Sequence, residues 1–436
     1  MSRAVKASVL IFLVAAAMRL CLIFVFHHYE IGRKESLRIA ISLARHGEFA
    51  DPYALPTGPT AHTAPLYPAL ASALYRIWGD TQHADYARFT LNSLAASAEY
   101  ALIPMVTVAL GLGLGPGVLA GFGGALIPLQ LWAECMGEFE ATWVALFLEV
   151  ATILFARWLR APRPGWKRAA GWGALWGGGF LLTPGLLPVL VGFGAVGLWR
   201  LRPGFVAAVR WLGVCAVTTL MVMTPWLVRN YLRLGGVFFV RDNLGLELLV
   251  SNHDGALPSL DENIHTAFFK RNHPSGSGKA ARELRSRGEL AFERQSLSRA
   301  LDWMTKNPGA LAALTLARVG TFWMPRVARF RWAFLAAALG ALASLVWLYR
   351  RSKFAAVTLA TILIGYSAIY YLVQNTLRYE HPLWWIQVVL IGWAAHTLLV
   401  RRFTRIRGVA AGMPGARVLQ PEIARRQIPA AGMLKD

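Results

Sequence analysis

Charge is scarce in this chain, and acid is scarcer than base. Only 16% of the 436 residues are charged, and 23 Asp and Glu stand against 45 Lys and Arg, a formal net charge of +22. So little charge excludes a disordered, solvated coil and an ordinary soluble domain. An excess of base can signal nucleic acid, but none of the known reader folds is visible here. The Arg and Lys instead flank apolar runs, where cytoplasmic loops and anionic headgroups require them. No nucleic-acid partner is therefore expected. Cysteine is nearly absent: Cys21 and Cys215 sit inside apolar runs and Cys135 near a loop. That leaves neither a disulfide framework nor a zinc spacing. No internal repeat of the kind that builds many transporters is evident either.

What the chain has is hydrophobic surface. Apolar residues make up 56% of it, with 17 Trp, and they fall into runs of about 20 residues, the length that crosses a bilayer. Such runs occupy 7–26, 89–110, 118–132, 142–159 and 169–183, then 186–199, 211–228, 332–348, 354–373 and 383–400. The expectation is an all-α polytopic integral membrane protein with about ten spans. The N-terminus, MSRAVK before an apolar run, is too long for a signal-peptide core and lacks a small-residue cleavage site. It reads as an uncleaved first span with a cytoplasmic N-terminus. Four parts follow: an N-terminal module over 1–230 whose first outer loop is 29–88, a polar, partly helical segment over 231–331, closing spans over 332–400, and a basic tail over 401–436 that composition reads as disordered. The run 311–324 is too short to cross and contains Arg318. Leaving it interfacial keeps RRSK and the RRFTRIR tail on the basic, inner side.

The first outer loop concentrates the chemistry. Glu30 stands where the first apolar helix should leave the bilayer. Behind it lies an amphipathic stretch with Leu37, Ile41 and Ala44 on one face, expected to lie along the membrane with Glu35 on its polar surface. A loop rich in Pro, Gly, Thr and His follows, with His62 in TGPTAH. An acid at the mouth of a membrane helix under such a loop points to a reaction site at the membrane surface. On the expected topology Glu138 and Glu140, TPWLVRN, RDNLGLELLVSNHDG and RYEHP share its side. The turn residues Asn243, Asn252, His253 and Asp254 are read as a capped turn, and Glu99 as a structural ion in the bundle.

Taken in order, EIGRKESLRIAISLARHGEFADPY, TGPTAHTAPLYP, TPWLVRNY with RDNLGLELLVSNHDG, and RYEHP resemble the bacterial membrane glycosyltransferases related to protein O-mannosyltransferases and aminoarabinose transferases, a glycosyltransferase family 39-like group. The resemblance runs to about residue 400 and rests on the order of motifs that are each loosely defined. It implies a GT-C-type helical bundle in the bacterial inner membrane. It also implies transfer of a sugar from a polyprenyl-phosphate donor to a lipid, glycan or protein acceptor at the non-cytoplasmic face. The family's general base is an acid just after the first span, which carries over to Glu30. Glu380 stands in RYEHP where the family often has a basic residue.

The residue types fit that chemistry. The acceptor needs a base, and the leaving phosphate needs cations as its charge develops. Arg378, Arg19, Arg33 and His62 are the candidates for the second task, since a guanidinium fork matches phosphate oxygens. Glu138 and Glu140 are further candidates for substrate contact. No cofactor is assigned. With Glu134, these two acids offer a carboxylate group to a divalent metal, without a ligand spacing that would decide it. Two alternatives share the same features: a polymerase or ligase of lipid-linked saccharides, and a lipid or solute transporter.

Overall fold

The computed structural model describes residues 2–27, 29, 32–127, 139–160, 165–202, 204–325 and 330–411, with backbone only at 139 and 403–411. It is 80% helical, and the described residues contain no strand, only two isolated bridges, Ala50 with Pro59 and Ser259 with Asn375. This is an all-α, multi-pass membrane protein.

Among the described residues, eight helices are long and apolar enough to cross a bilayer. The other two runs read from the sequence form shorter helices, Leu114–Ala125 of 12 residues and Trp166–Leu182 of 17. At 1.5 Å per residue these give about 18 and 26 Å against a hydrocarbon core of about 30 Å. Sequence 118–132 continues beyond residue 127, outside the described residues. Pro308–Trp323 is 16 residues long, too short to span.

Gln82–Leu110 is the central helix and packs against Arg3–Phe24, Leu114–Ala125 and Phe139–Trp158. Small residues permit this. A Cβ added at Gly117 would lie 2.7 Å from Pro104 Cα, so the two helices approach backbone to backbone. Elsewhere aromatic rings fill the space: Phe155 stacks on Phe193 with centroids 4.6 Å apart, and Trp176 and Trp385 are fully buried.

Glu35–His46 and Leu66–Trp78 form a helical pair above this bundle. Gly47, at φ 70°, ends the first of them, a left-handed turn that glycine takes without strain. Ile39, Ala40 and Ser42 are buried as well as Leu37. The helix packs its apolar face, with Leu37, Ala40, Ile41 and Ala44, against Tyr67, Ala71 and Tyr75. The loop after it is clamped to distant parts of the chain. Arg229 donates to the carbonyls of Thr60 at 2.7 Å and Phe49 at 2.6 Å. Arg241 Nε donates to His62 O at 2.9 Å, and Glu289 accepts from the Ala61 amide.

The polar segment has its own small core of Leu246, Val250, Phe269, Leu284 and Phe292, joined by Tyr53 of the first loop. Arg318 is fully buried and donates to Ser251 O, to Asn252 Oδ1 at 3.0 Å and to Leu372 O at 2.7 Å. It thereby fixes the stretch before Arg378 against the polar segment. Within that segment Leu244–Ser251 and Glu289–Lys306 touch through Gly245, where an added Cβ would lie 2.2 Å from Glu293 O and 2.9 Å from Leu297 N. Both are backbone atoms and cannot swing aside. Gly245→Ala is expected to cost about 1–3 kcal/mol by overpacking and to strain the bond from Leu246 N to Glu293 Oε2, now 2.8 Å. Thermal unfolding in detergent checks this: the midpoint should fall, and an unchanged midpoint contradicts the contact.

Candidate functional site

A cavity of about 660 Å³ opens where the helical pair, the first loop, the polar segment and the ends of the membrane helices meet. The helix Phe139–Trp158 contributes Glu140, Ala141 and Val144, and the stretch 366–379 contributes Tyr366, Tyr370, Gln374, Arg378 and Tyr379. Toward the bundle its wall combines Tyr366, Tyr370 and Tyr379 with Glu140 and Arg378, and toward the polar segment it carries Arg241, Glu247, Asp261 and Lys270. Lys34, Arg241, Lys270 and Arg378 face Glu35, Glu140, Glu247 and Asp261 around it, four cations to four carboxylates. A site so balanced holds an anion by local geometry rather than by net field.

Arg378 is oriented by its neighbour. Its guanidinium lies 4.9 Å from the centre of the Tyr379 ring, and Nη2 donates to the Tyr379 hydroxyl at 3.1 Å. Tyr379 in turn stacks on Tyr370 at 4.4 Å. Arg241 uses Nε to hold His62 O and borders the cavity. Its position beside the loop follows from Asp242 N donating to Ala61 O at 3.4 Å.

Two histidines share the cavity. Burial lowers His62 to about 3, offset in part by Glu35, and lowers His273 to about 4, again with Glu35 opposing. Both imidazoles are neutral at physiological pH. His62 Nδ1 lies 3.2 Å from the Tyr53 hydroxyl. His273 stacks on Phe269 at 4.5 Å, and its Nδ1 accepts from the Ser275 amide at 3.1 Å.

Glu35 is the first residue of its helix, and in a helix the Cα–Cβ bonds tilt toward the N-terminus. Its side chain therefore projects past the helix end into the cavity instead of lying on an outer surface. Burial pushes its carboxyl up, but His62, His273, its own backbone N–H and Arg378 outweigh that and hold it below the ordinary value. Glu247 goes the other way: burial raises it, with Arg241 and the Asn243 amide opposing.

Of the residues singled out from the sequence, His62, Glu140 and Arg378 line this cavity. Arg19 and Arg33 are held elsewhere. Arg19 is fully buried in the bundle, its Nη1 donating to Ala15 O at 3.2 Å and its guanidinium 4.9 Å from the Tyr100 ring centre. Arg33 bridges Asp85 at 3.0 Å and Asp80 at 2.8 Å, tying the helical pair to the central helix. Glu30, Glu134 and Glu138 lie outside the described residues. Glu99 lies in the bundle, 3.6 Å from His381 Nε2. His253 stacks on Phe268 at 3.7 Å and Asp254 accepts from Trp303 Nε1 at 2.8 Å, so these two serve packing. Among the described residues no group of three His, Cys, Asp or Glu side chains converges as metal ligands.

Sequence reasoning passed over Arg241, Glu247, Lys270 and His273. The first two lie inside the RDNLGLELLVSNHDG motif, where a charged residue just before a short helix and another in its first turn were the available signal. Nothing local marks Lys270 or His273. They reach the cavity through the packing of Tyr53 and Phe269 in one cluster.

No family model matches the sequence, and no curated protein matches it. Solved structures do. An archaeal oligosaccharyltransferase of Archaeoglobus fulgidus in the apo form, a GT-C-fold glycosyltransferase, superposes with a TM-score of 0.53 at 14% identity over 95% of this chain. The chain has the GT-C fold. A second structure, archaeal oligosaccharyltransferase AglB from the same organism with an inhibitory peptide and a dolichol-phosphate, gives a TM-score of 0.50 at 15% identity, again over 95% of the chain. This GT-C chain spans about half the length of both, 53% and 52%.

Proposed function

We propose that this protein is a membrane glycosyltransferase that moves a sugar from a polyprenyl-phosphate donor to a lipid, glycan or protein acceptor at the non-cytoplasmic face of the bacterial inner membrane. The observation that carries the reading is the cavity. It meets the end of a membrane helix at Ala141 and Val144, has tyrosines along its inner wall, and sets Arg378, Arg241 and Lys270 around the same volume. A lipid tail fits the apolar side and a phosphate the cationic side. The GT-C fold supports the reaction class, and the neighbour solved with a dolichol-phosphate supports a lipid phosphate as ligand.

In this reading the acceptor hydroxyl attacks the anomeric carbon of the donor sugar. Its oxygen forms the new bond while the carbon–oxygen bond to phosphate breaks, and the electron pair leaves with the polyprenyl phosphate. Arg378 and Arg241 bind phosphate oxygens and stabilise the charge as it grows. Glu30 takes the acceptor proton, as the resemblance implies, and Glu138 and Glu140 are assigned to substrate contact. Metal dependence is tested by chelation and add-back of a divalent cation.

Envelope chemistry tests the activity. A deletion strain should lose one glycosylated lipid, glycan or protein by mass spectrometry, and restoring the gene should return it. An unchanged envelope together with protein-dependent uptake of a labelled solute would sink the enzyme reading. Orientation has its own test. Arg350 and Arg351 end the helix Arg331–Arg351 and Lys353 opens the next one, and the positive-inside rule places this turn in the cytoplasm. A cysteine at exposed Ser286 should react with an impermeant thiol reagent in intact cells, and one at exposed Arg351 should not. Labelling at Arg351 would put the cavity on the wrong side.

A further inference from the structure

Two complementary polar groups border the cavity, the imidazole of His273 and the carboxylate of Glu35. His273 Nδ1 accepts the Ser275 backbone N–H at 3.1 Å and lies 2.6 Å from Ser275 Oγ. An amide can only donate, so Nδ1 is the acceptor, the hydroxyl also donates to it, and the neutral ring carries its proton on Nε2. That nitrogen has no hydrogen-bond partner among the described residues, and the ring borders the cavity. Phe269 stacked on one side and the edge of Tyr53 on another, 5.9 Å away, fix its direction. Glu35 is the complement. Its carboxylate meets its own backbone N–H and the charge of Arg378, and no other residue's donor among the described residues binds it.

An acceptor-only carboxylate and a donor-only imidazole N–H on the wall of one cavity select their ligand. A phosphate oxygen satisfies His273 but is repelled by Glu35. An ammonium group satisfies Glu35 but not His273. A hydroxyl does both, donating to the carboxylate and accepting from the imidazole. Neighbouring hydroxyls on one ring extend the match. The cations that suit a phosphate, Arg378 and Arg241, border the same cavity.

We propose that Glu35 and His273 form the subsite that recognises the hydroxyls of the donor sugar, and so determine which sugar-bearing lipid is accepted. This rests on the donor reading above and deepens it. The subsite acts by hydrogen bonding and takes no proton in the reaction; that task belongs to Glu30.

The test compares two kinds of lipid on the full chain in detergent. One is undecaprenyl phosphate alone; the other is the same lipid carrying mannose, glucose or N-acetylglucosamine. Binding is read by thermal shift and by titration. The wild type should bind at least one sugar-bearing lipid more tightly than the bare phosphate. Glu35→Gln keeps the shape, and His273→Phe keeps the stack on Phe269 while removing the N–H. Each should weaken the sugar-bearing lipid by about 10- to 100-fold, the range for a hydrogen bond to a charged group or an unpaired buried partner. His273→Phe should leave the bare phosphate within about twofold and Glu35→Gln should bind it at least as tightly as the wild type, which also shows that each variant is folded. Equal loss for both lipids, or no gain from any sugar in the wild type, overturns the subsite and leaves the donor reading standing. Failure of the wild type to bind either lipid takes down the donor reading and the subsite with it.

Discussion

Arg378→Ala should raise the KM for a polyprenyl-phosphate sugar by about 10- to 100-fold, with a smaller effect on acceptor KM. The guanidinium is held in place by the Tyr379 hydroxyl at 3.1 Å and the ring beneath it, so its fork is ordered before ligand arrives. A charge-assisted hydrogen bond of this type contributes about 1.5–3 kcal/mol, and every 1.4 kcal/mol is tenfold in affinity. Lysine at 378 should recover only part of the loss, because a point charge cannot grip two oxygens at once. It also cannot stack on Tyr379 as a planar group does. Initial rates against donor concentration decide the matter. An alanine variant with unchanged donor KM and turnover would assign Arg378 to anchoring at the membrane interface.

Glu30→Gln should lower turnover by about 10²–10⁴-fold with donor affinity nearly kept, the usual range for general acid–base help. Glu30→Asp should retain some activity, since the carboxylate survives with a shorter reach. Glu35 does not serve as a neutral control, because it borders the cavity. A better one is Glu48, a half-exposed residue whose nearest cation is Arg233 at 3.6 Å, and Glu48→Gln should leave turnover within about twofold, as surface changes usually do. Thermal stability must be measured alongside. A folded Glu30→Gln protein with wild-type turnover moves the search for the base to Glu140 and Glu35.

The helical architecture was legible because its signal is local. An apolar run has to be long enough to cross, and its length survives whatever it packs against. His62, Glu140 and Arg378 were legible for a similar reason, each lying in a polar motif at a span end. The remainder of the cavity depends on contacts far apart in sequence. The bond from Ala61 N to Glu289 joins residues 228 positions apart, and that from Arg241 to His62 O joins residues 179 apart. No spacing rule sees such a closure. Arg33 shows the reverse error of local reading. It stands beside the expected base in sequence and looks available, yet it is held by Asp85, in the first turn of a helix that begins about fifty residues later, and by Asp80 just before that helix. Glu35 was misplaced because helical period gives the face of interior positions, whereas a first-turn side chain points past the end of the helix.

The most direct measurement is transfer by the purified full chain. The protein in detergent or vesicles is given undecaprenyl-phosphate sugars, with a membrane extract of the deletion strain as the source of acceptor, and products are followed by mass spectrometry. The account predicts release of undecaprenyl phosphate together with a product heavier by one sugar residue, and loss of both signals in Glu30→Gln and Arg378→Ala. Persistence of an intact donor under conditions where the wild-type protein binds it, with no heavier product from any sugar, would contradict it.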